Sequence, residues 1–213
     1  MQIQGLANSL PKTRQLGGSP VVPSGTFGEL FESRLTPEYY SMLKGNMVFG
    51  AALLGANPTA YIGAAAGTPL IGLLNPANSG VDLVLLEVVL GLRTTGSAAA
   101  VLDFNHFMGV QGTTPITGTV TAPRNQYSQA QSGSASQPLL NTVNTGAVAT
   151  NLVRPSISIG NVGGTAALNV GMLRDEVKGE IIVPPGSYYA FASAVGLTGA
   201  SIDVAALWAE IPV

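Results

Sequence analysis

The chain has no cysteine and only one histidine, His106, among its 213 residues. Without cysteine it can form neither a disulfide framework nor a thiol nucleophile. A zinc site usually takes three or four His, Cys or carboxylate ligands, and a single histidine argues against such a site within one chain. We therefore predict no metal site, no bound cofactor and no disulfide.

Charge is also scarce, since Asp, Glu, Lys and Arg make up 9% of the residues, against about 25% in an average soluble domain. Nine Lys and Arg face eleven Asp and Glu. So few scattered cations cannot neutralise a run of phosphates, which excludes a polybasic nucleic-acid binder. A monomer with so few charges has a poorly solvated surface, which favours burial in an oligomer. The alternative is a surface covered by Ser, Thr, Asn and Gln.

A long charge-free stretch, residues 45–81, is not a continuous apolar run, because seven Asn and Pro residues interrupt it. A transmembrane helix needs about 20 predominantly apolar residues in a row. Residues 1–18 lack the apolar segment of a signal peptide. The sequence therefore predicts no membrane span and no classical secretory route.

Turn residues are abundant, with 27 Gly and 14 Pro, and they separate short apolar runs. The spacing of these runs is typical of an all-β sandwich or barrel. Residues 75–80 and Pro184-Pro185-Gly186 are strong turn signals, the latter for a type II turn with Gly186 at its third position. The apolar runs are 47–54, 70–74, 81–92, 99–110, 116–121, 148–159, 166–172, 180–183, 188–195 and 200–211.

The run 81–92 carries apolar residues at both odd and even positions. A strand of a two-sheet sandwich normally has one solvated face. If both faces are apolar, the outer one is expected to be covered by another subunit or another sheet.

Three segments differ in composition from these runs. Residues 1–28 are rich in Gly, Pro and Ser and are expected to form an extended arm, which either crosses to a neighbouring subunit or is a disordered tail. Thr36-Pro37 resembles a helix start, and Gly45 would end that helix. Residues 122–146 are polar and predict a long exposed loop. We place the domain boundary between residues 1–45 and a β-domain over 46–213.

Candidate catalytic groups are few. Asp103 lies three residues before His106, but residues three apart on a strand point to opposite faces, so the two should not pair. His106 is therefore expected to be structural or to lie at an interface. The alternating charges of 174–180 predict a solvated turn or a set of salt bridges. Residues 160–164 lack the spacing of a dinucleotide-binding loop. We predict no catalytic residues and no enzymatic activity.

Segments near both ends of the β-region carry a family resemblance. They are Thr36-Pro37-Glu38-Tyr39-Tyr40, Lys44-Gly45-Asn46, Val48-Phe49, Leu73-Leu74-Asn75-Pro76, Ser79-Gly80-Val81-Asp82-Leu83-Val84-Leu85, Ile182-Val183-Pro184-Pro185-Gly186-Ser187-Tyr188 and Leu207-Trp208-Ala209-Glu210-Ile211-Pro212. The arrangement resembles small virion structural proteins of tailed bacteriophages, in particular jelly-roll decoration or cement proteins. It covers about half of the chain; the middle, residues 109–171, matches no family.

The resemblance implies a jelly-roll-like antiparallel β-sandwich. It also implies a homotrimer that binds the major capsid protein on the outer surface of a phage head, assembled in the host cytoplasm. Such a protein needs no nucleic acid and no membrane. One alternative is a tail-fibre or spike head module that binds a host receptor or glycan, with residues 122–146 in contact. Another is a hydrolase with its site at a subunit interface.

Overall fold

The computed structural model describes residues 39–57, 69–94, 101–110, 117–120, 122–130, 133–144, 150–159, 172–196 and 199–213. Residues Met42–Val213 form one compact unit. The expected arm over 1–28 and the expected helix start at Thr36-Pro37 lie outside the described residues. None of the helices in the described ranges is long and apolar enough to cross a membrane.

Within the described residues, one short helix precedes eleven strands. Helix α1 spans Tyr40–Lys44, so it ends immediately before Gly45, as predicted. The strands are β1 Val48–Ala56, β2 Ile71–Asn75, β3 Val81–Thr94, β4 Leu102–Val110, β5 Thr117–Val120, β6 Arg124–Asn125, β7 Gln137–Asn144, β8 Thr150–Ile159, β9 Leu173–Val183, β10 Ser187–Ser193 and β11 Ser201–Pro212.

The strands form two antiparallel sheets, which identify the fold. The five-stranded sheet has the order β6-β1-β11-β3-β9, and the six-stranded sheet has the order β5-β7-β2-β10-β4-β8. If β5, β6 and β7 are set aside as an insertion, each strand lies in the other sheet from the strand before it. The one exception is β8, which lies in the same sheet as β4. This is the strand order of a jelly roll. The predicted all-β, jelly-roll-like sandwich is confirmed.

Apolar residues that alternate along the strands fill the space between the sheets. Trp208 on β11 has 0% of its surface exposed and is the largest fully buried side chain. It packs in one cluster with residues from both sheets. A tight turn between Val183 and Ser187 connects β9 to β10. Gly186 has φ 76°, and Ser187 donates to the carbonyl oxygen of Pro184, which confirms the predicted turn.

A β-bulge explains part of the two-sided apolar pattern of β3. Leu85 lies opposite Trp208 and Glu87 lies opposite Leu207, so Leu86 is an extra residue in the ladder. Before the bulge the odd-numbered residues Leu83 and Leu85 face the core, and after it the even-numbered residues Val88 and Leu90 do. Because an extra residue reverses the alternation, a strand with one core face shows apolar residues at both parities in its sequence.

The polar segment 122–146 is not the single long loop that composition predicted. Part of it forms β6, which pairs with β1, and part forms β7, which pairs with β2. Gln137 opens β7, and Leu139 and Leu140 lie opposite Gly72 and Ile71. The run 166–172 lies outside the described residues except for Met172.

Candidate functional site

A polar network lies between the sheets where β8 and β9, the edge strands of the two sheets, come together. His106 on β4 is at its centre, with 0% of its surface exposed. Within the six-stranded sheet, His106 lies opposite Arg154 on β8 and Phe191 on β10. Residues directly opposite each other on neighbouring strands share a face of the sheet. His106 and Arg154 therefore both face the interior.

Both ring nitrogens of His106 are hydrogen-bonded within the protein. Nε2 lies 2.8 Å from Asp175 Oδ2 on β9, in the other sheet. A carboxylate can only accept, so Nε2 carries the proton. Nδ1 lies 2.7 Å from the hydroxyl of Tyr189, which donates to the neutral ring. The network thus joins the two sheets through one imidazole.

Asp175 is the point at which the remaining contacts meet. Arg154 Nη2 donates to Asp175 Oδ1 at 2.5 Å, and the hydroxyl of Ser156 donates to Oδ2. Arg154 Nη1 continues outward to Glu180 Oε2 at 2.9 Å. Side-chain exposure rises along this line, from 12% for Asp175 through 30% for Arg154 to 67% for Glu180. The network therefore runs from the buried histidine to solvent.

The pKa directions agree with a neutral histidine beside an ionised carboxylate. Burial lowers the pKa of His106, and this outweighs the hydrogen bond and charge of Asp175. Burial, followed by the charge of Asp175, raises the pKa of Tyr189 well above that of a free tyrosine. Burial alone would raise the pKa of Asp175. The pKa is nevertheless lowered, because Ser156 and His106 donate hydrogen bonds to the carboxylate and the charge of Arg154 lies nearby.

This arrangement can hold two sheets together, and it leaves His106 without a free ring nitrogen. A general base must reach the proton that it abstracts, and both nitrogens of His106 are already engaged. Ser156 donates to the carboxylate rather than to the imidazole. Asp103 bonds Ser158 instead of His106, as the strand alternation predicted. Within the described ranges, no three His, Asp or Glu side chains are placed to hold a metal ion.

Sequence reasoning missed the partners of His106, although one signal was present. Asp175 stands midway between Leu173 and Val177, in phase with the apolar positions of β9. Its neighbours Arg174 and Glu176 are exposed and pair with each other, and Arg174 also pairs with Glu87. The predicted set of salt bridges is thus present on a strand rather than in a turn, and Asp175 is the member that faces inward.

A second feature is a groove of about 430 Å³ on the outer face of the five-stranded sheet. We call it the outer groove. Its floor is built from small and aliphatic side chains of three neighbouring strands, and one wall comes from the turn after β6. The lining residues are Gly50, Ala51, Ala52, Glu87, Val89, Ala122, Arg124, Gln126, Gln129, Ala205, Ala206 and Leu207.

The strand register places opposite charges on the two banks of the outer groove. Arg124 lies opposite Gly50, Gly50 opposite Leu207, and Leu207 opposite Glu87. These four residues therefore form one row across the outer face. With strands about 4.8 Å apart, the backbones of Arg124 and Glu87 are about 14 Å apart. The row thus has a cation at one end, a carboxylate at the other and an apolar floor between them.

Buried polar groups hold the segment that walls the outer groove. Asn125, 3% exposed, donates from Nδ2 to the carbonyl of Asn46 and accepts from the amides of Tyr127 and Ser128. Further along, the carboxylate of Glu210 accepts from Ser134 Oγ and from the amide of Ala135. The wall is therefore fixed to the sheet at both of these points.

The outer face of the six-stranded sheet is apolar as well. A row across it contains Gly72, Ala190, Phe107 and Leu152 in register. Phe107 and Ala190 are at most 6% exposed, whereas Leu152 at the edge is 56% exposed. We call this row, with its exposed end at Leu152, the apolar outer row. Phe107 and Ala190 are thus covered within the chain itself, and the Leu152 end of the row is open to a partner.

Comparisons of the chain with protein-family models, with curated proteins and with solved structures gave no match.

Proposed function

We propose that this protein is a capsid decoration protein, a homotrimer that binds the outer surface of a phage head and stabilises the assembled shell. The observation that carries the proposal is the exposed end of the apolar outer row, where Leu152 at the sheet edge is 56% exposed. The outer face of a solvated antiparallel sheet normally carries polar residues, but this row has no polar member. Phe107 and Ala190 are already covered within the chain, so an adhesive structural role would use the Leu152 end.

The edge of the six-stranded sheet adds exposed apolar surface next to this row. Leu152 and Val153 on β8 are 56% and 46% exposed, and Val110 at the end of β4 is 73% exposed. Exposed apolar residues that cluster on one side of a protein mark interaction sites more often than single scattered ones do. We assign contact with other subunits to this side of the sandwich.

The edges themselves are poorly suited to open-ended strand addition. Pro155 lacks a backbone donor in the middle of β8, and β9 carries a bulge at Lys178 and Gly179, both with positive φ. Charges on β9 also point outward. Proline, bulges and charges all prevent edge-to-edge pairing. This favours a closed assembly joined through side chains over a filament joined through backbone hydrogen bonds.

The proposed mechanism is adhesion without chemistry. A trimer at a three-fold position contacts several capsid subunits at once, and this multivalency makes the assembled lattice a better ligand than a free subunit. Because the trimer binds only the assembled state, it stabilises that state by mass action. The family resemblance of the terminal segments supplies the phage head as the partner.

The test is a charge placed in the apolar outer row. We expect Leu152→Asp to weaken both trimer formation and attachment to undecorated heads by at least about tenfold, because a carboxylate cannot be buried there without a partner. Light scattering gives the mass, and co-sedimentation with heads gives the binding. Ile182→Asp is the matched control, since Ile182 is 47% exposed on the edge strand of the other sheet. A wild-type protein that is monomeric and does not sediment with heads contradicts the proposal.

The outer groove favours a second candidate, a receptor-binding module of a tail fibre or spike. A jelly roll serves either role, so the fold does not separate them. Copy number in the virion does: hundreds of copies place the protein on the head, and tens or fewer place it on the tail.

A further inference from the structure

We propose that the outer groove is a binding site for a sugar that carries a carboxylate. This goes beyond shell stabilisation, since it gives the outer face of the five-stranded sheet a ligand of its own. The volume of about 430 Å³ falls within the range of roughly 300–1,000 Å³ that small-molecule sites occupy. It suits one or two sugar rings rather than a long polymer.

Arg124 supplies the position for the carboxylate. It lines the groove, and its side chain forms no ion pair with any residue that the structure describes. Glu87 on the opposite bank is different, because Arg174 Nη2 already donates to it at 2.6 Å. Among the described residues, Arg124 is therefore the cation of the groove that has no counter-charge. An arginine fork pairs with a carboxylate through two parallel hydrogen bonds.

Two amide side chains supply positions for hydroxyl groups. Gln126 and Gln129 each use Nε2 in one long contact of 3.3 Å, to backbone oxygens of Arg124 and Gln126. Neither Oε1 accepts a hydrogen bond from the described part of the chain. An amide offers both donors and an acceptor, so each can pair with a hydroxyl whichever way the hydroxyl points. Two amides that line one groove match a ligand with several hydroxyls.

The floor is shaped for close approach. Ala52 and Ala205 are opposite each other in the ladder and present only methyl groups. A Cβ on Gly50 would lie 2.6 Å from Gln126 Nε2. The side-chain amide of Gln126 can therefore pack directly against the backbone of β1 only because residue 50 is glycine. A flat, apolar floor beside polar walls is the usual character of a small-ligand pocket.

A peptide fits this place less well than a sugar. An added strand needs free backbone groups at a sheet edge, but β6 already pairs with β1 at Phe49 and Gly50, beside the groove. The groove lies over the face of the sheet, where side chains rather than backbone groups are available. Its polar side chains are one guanidinium, two amides and the carboxylate of Glu87, which is already paired with Arg174. The guanidinium and the amides match a carboxylate and hydroxyls.

The experiment compares glucuronic acid with glucose, which differ in a carboxylate at one carbon. We expect the full-length protein to bind glucuronic acid at least about tenfold more tightly than glucose or acetate, measured by NMR titration at low salt. Arg124→Gln should remove this preference. Gly50→Ala, which displaces Gln126 without changing charge, should weaken glucuronic acid binding and leave acetate unaffected.

Arg93→Gln is the matched control, because Arg93 pairs with Asp203 away from the groove, and its binding should equal that of the wild type. Thermal melting checks that each variant is folded. Equal binding of glucose or acetate, unchanged binding by Arg124→Gln, or no binding of glucuronic acid overturns the proposal. Leu152→Asp should retain sugar binding even where trimer formation is lost, so the two proposals can fail separately.

Discussion

The interior of this jelly roll differs between its centre and its β8–β9 edge. Around Trp208 the two sheets meet mainly through apolar side chains, and the indole Nε1 of Trp208 makes one long hydrogen bond of 3.4 Å to Glu210. Around His106 they meet through hydrogen bonds and charges that link β4, β8, β9 and β10. Burial of apolar area stabilises many packings that have similar volume. A polar network is satisfied in one geometry only.

The difference indicates that stability and specificity come from different parts of the core. Slippage of β9 against β8 would remove Asp175 from His106 and Arg154, leaving buried groups without partners. The apolar centre has no comparable penalty. We infer that the network fixes the alignment of the two edge strands, while the Trp208 cluster supplies most of the free energy of folding.

The largest expected effect is a loss of the apolar centre. Trp208→Ala should lower the free energy of unfolding by about 3–5 kcal/mol, because the residue is fully buried and a cavity would remain. Urea unfolding monitored by circular dichroism measures this. Leu54→Ala is the control, since Leu54 is 66% exposed and should cost less than about 0.5 kcal/mol. A cost below about 1 kcal/mol for Trp208→Ala contradicts this account of the centre.

The next effect removes the charge at the meeting point of the network. Asp175→Asn should cost about 2–3 kcal/mol, below the range for a fully buried pair because Arg154 is 30% exposed. The control on the same strand is Glu176→Gln, which changes an exposed carboxylate with 46% side-chain exposure. It should cost at most about 0.5 kcal/mol. Equal costs for the two variants would show that the network has no special role.

The strand content of this fold was predictable because its signals are local. The turn at Pro184-Pro185-Gly186 follows from the positive φ of Gly186. Helix α1 ends before Gly45 as predicted, although the residue with positive φ there is Asn46, at 56°. The jelly-roll order came with the resemblance rather than from periodicity. Strand β7 was missed because its polar flanks hid the pair Leu139 and Leu140.

The network and the outer groove were not predictable, because both depend on distant pairings. Asp175 and His106 are 69 positions apart in sequence, and no local pattern brings together two strands of different sheets. The bulge at Leu86 also reversed the face of half of β3. Alternation of apolar and polar residues predicts which residues of a strand face the core, but the prediction holds only over a segment without a bulge.

The smallest expected effect is a pH dependence confined to the polar edge. Burial lowers the pKa of His106 below the ordinary value of 6.5, so between that value and the lower folded pKa the unfolded chain binds more protons. Stability is therefore fully present above pH 6.5 and falls as the pH decreases below it. One proton can contribute at most about 1.4 kcal/mol per pH unit. The pKa of Asp175 is lowered as well, but from 3.8, so its contribution is lost only in stronger acid.

Urea unfolding at about pH 7.5, 6.5 and 5.5 samples the pH window of His106 and stays above that of Asp175. His106→Gln keeps an amide donor for Asp175 and cannot titrate, so it should be less stable than the wild type at neutral pH but should show a flatter profile between the two lower pH values. Trp208→Ala should keep the wild-type slope, because its cavity lies in the apolar centre and the network is intact. If His106→Gln retains the wild-type slope, the proton that destabilises the fold binds elsewhere, and the polar edge is not the pH-sensitive half of the core.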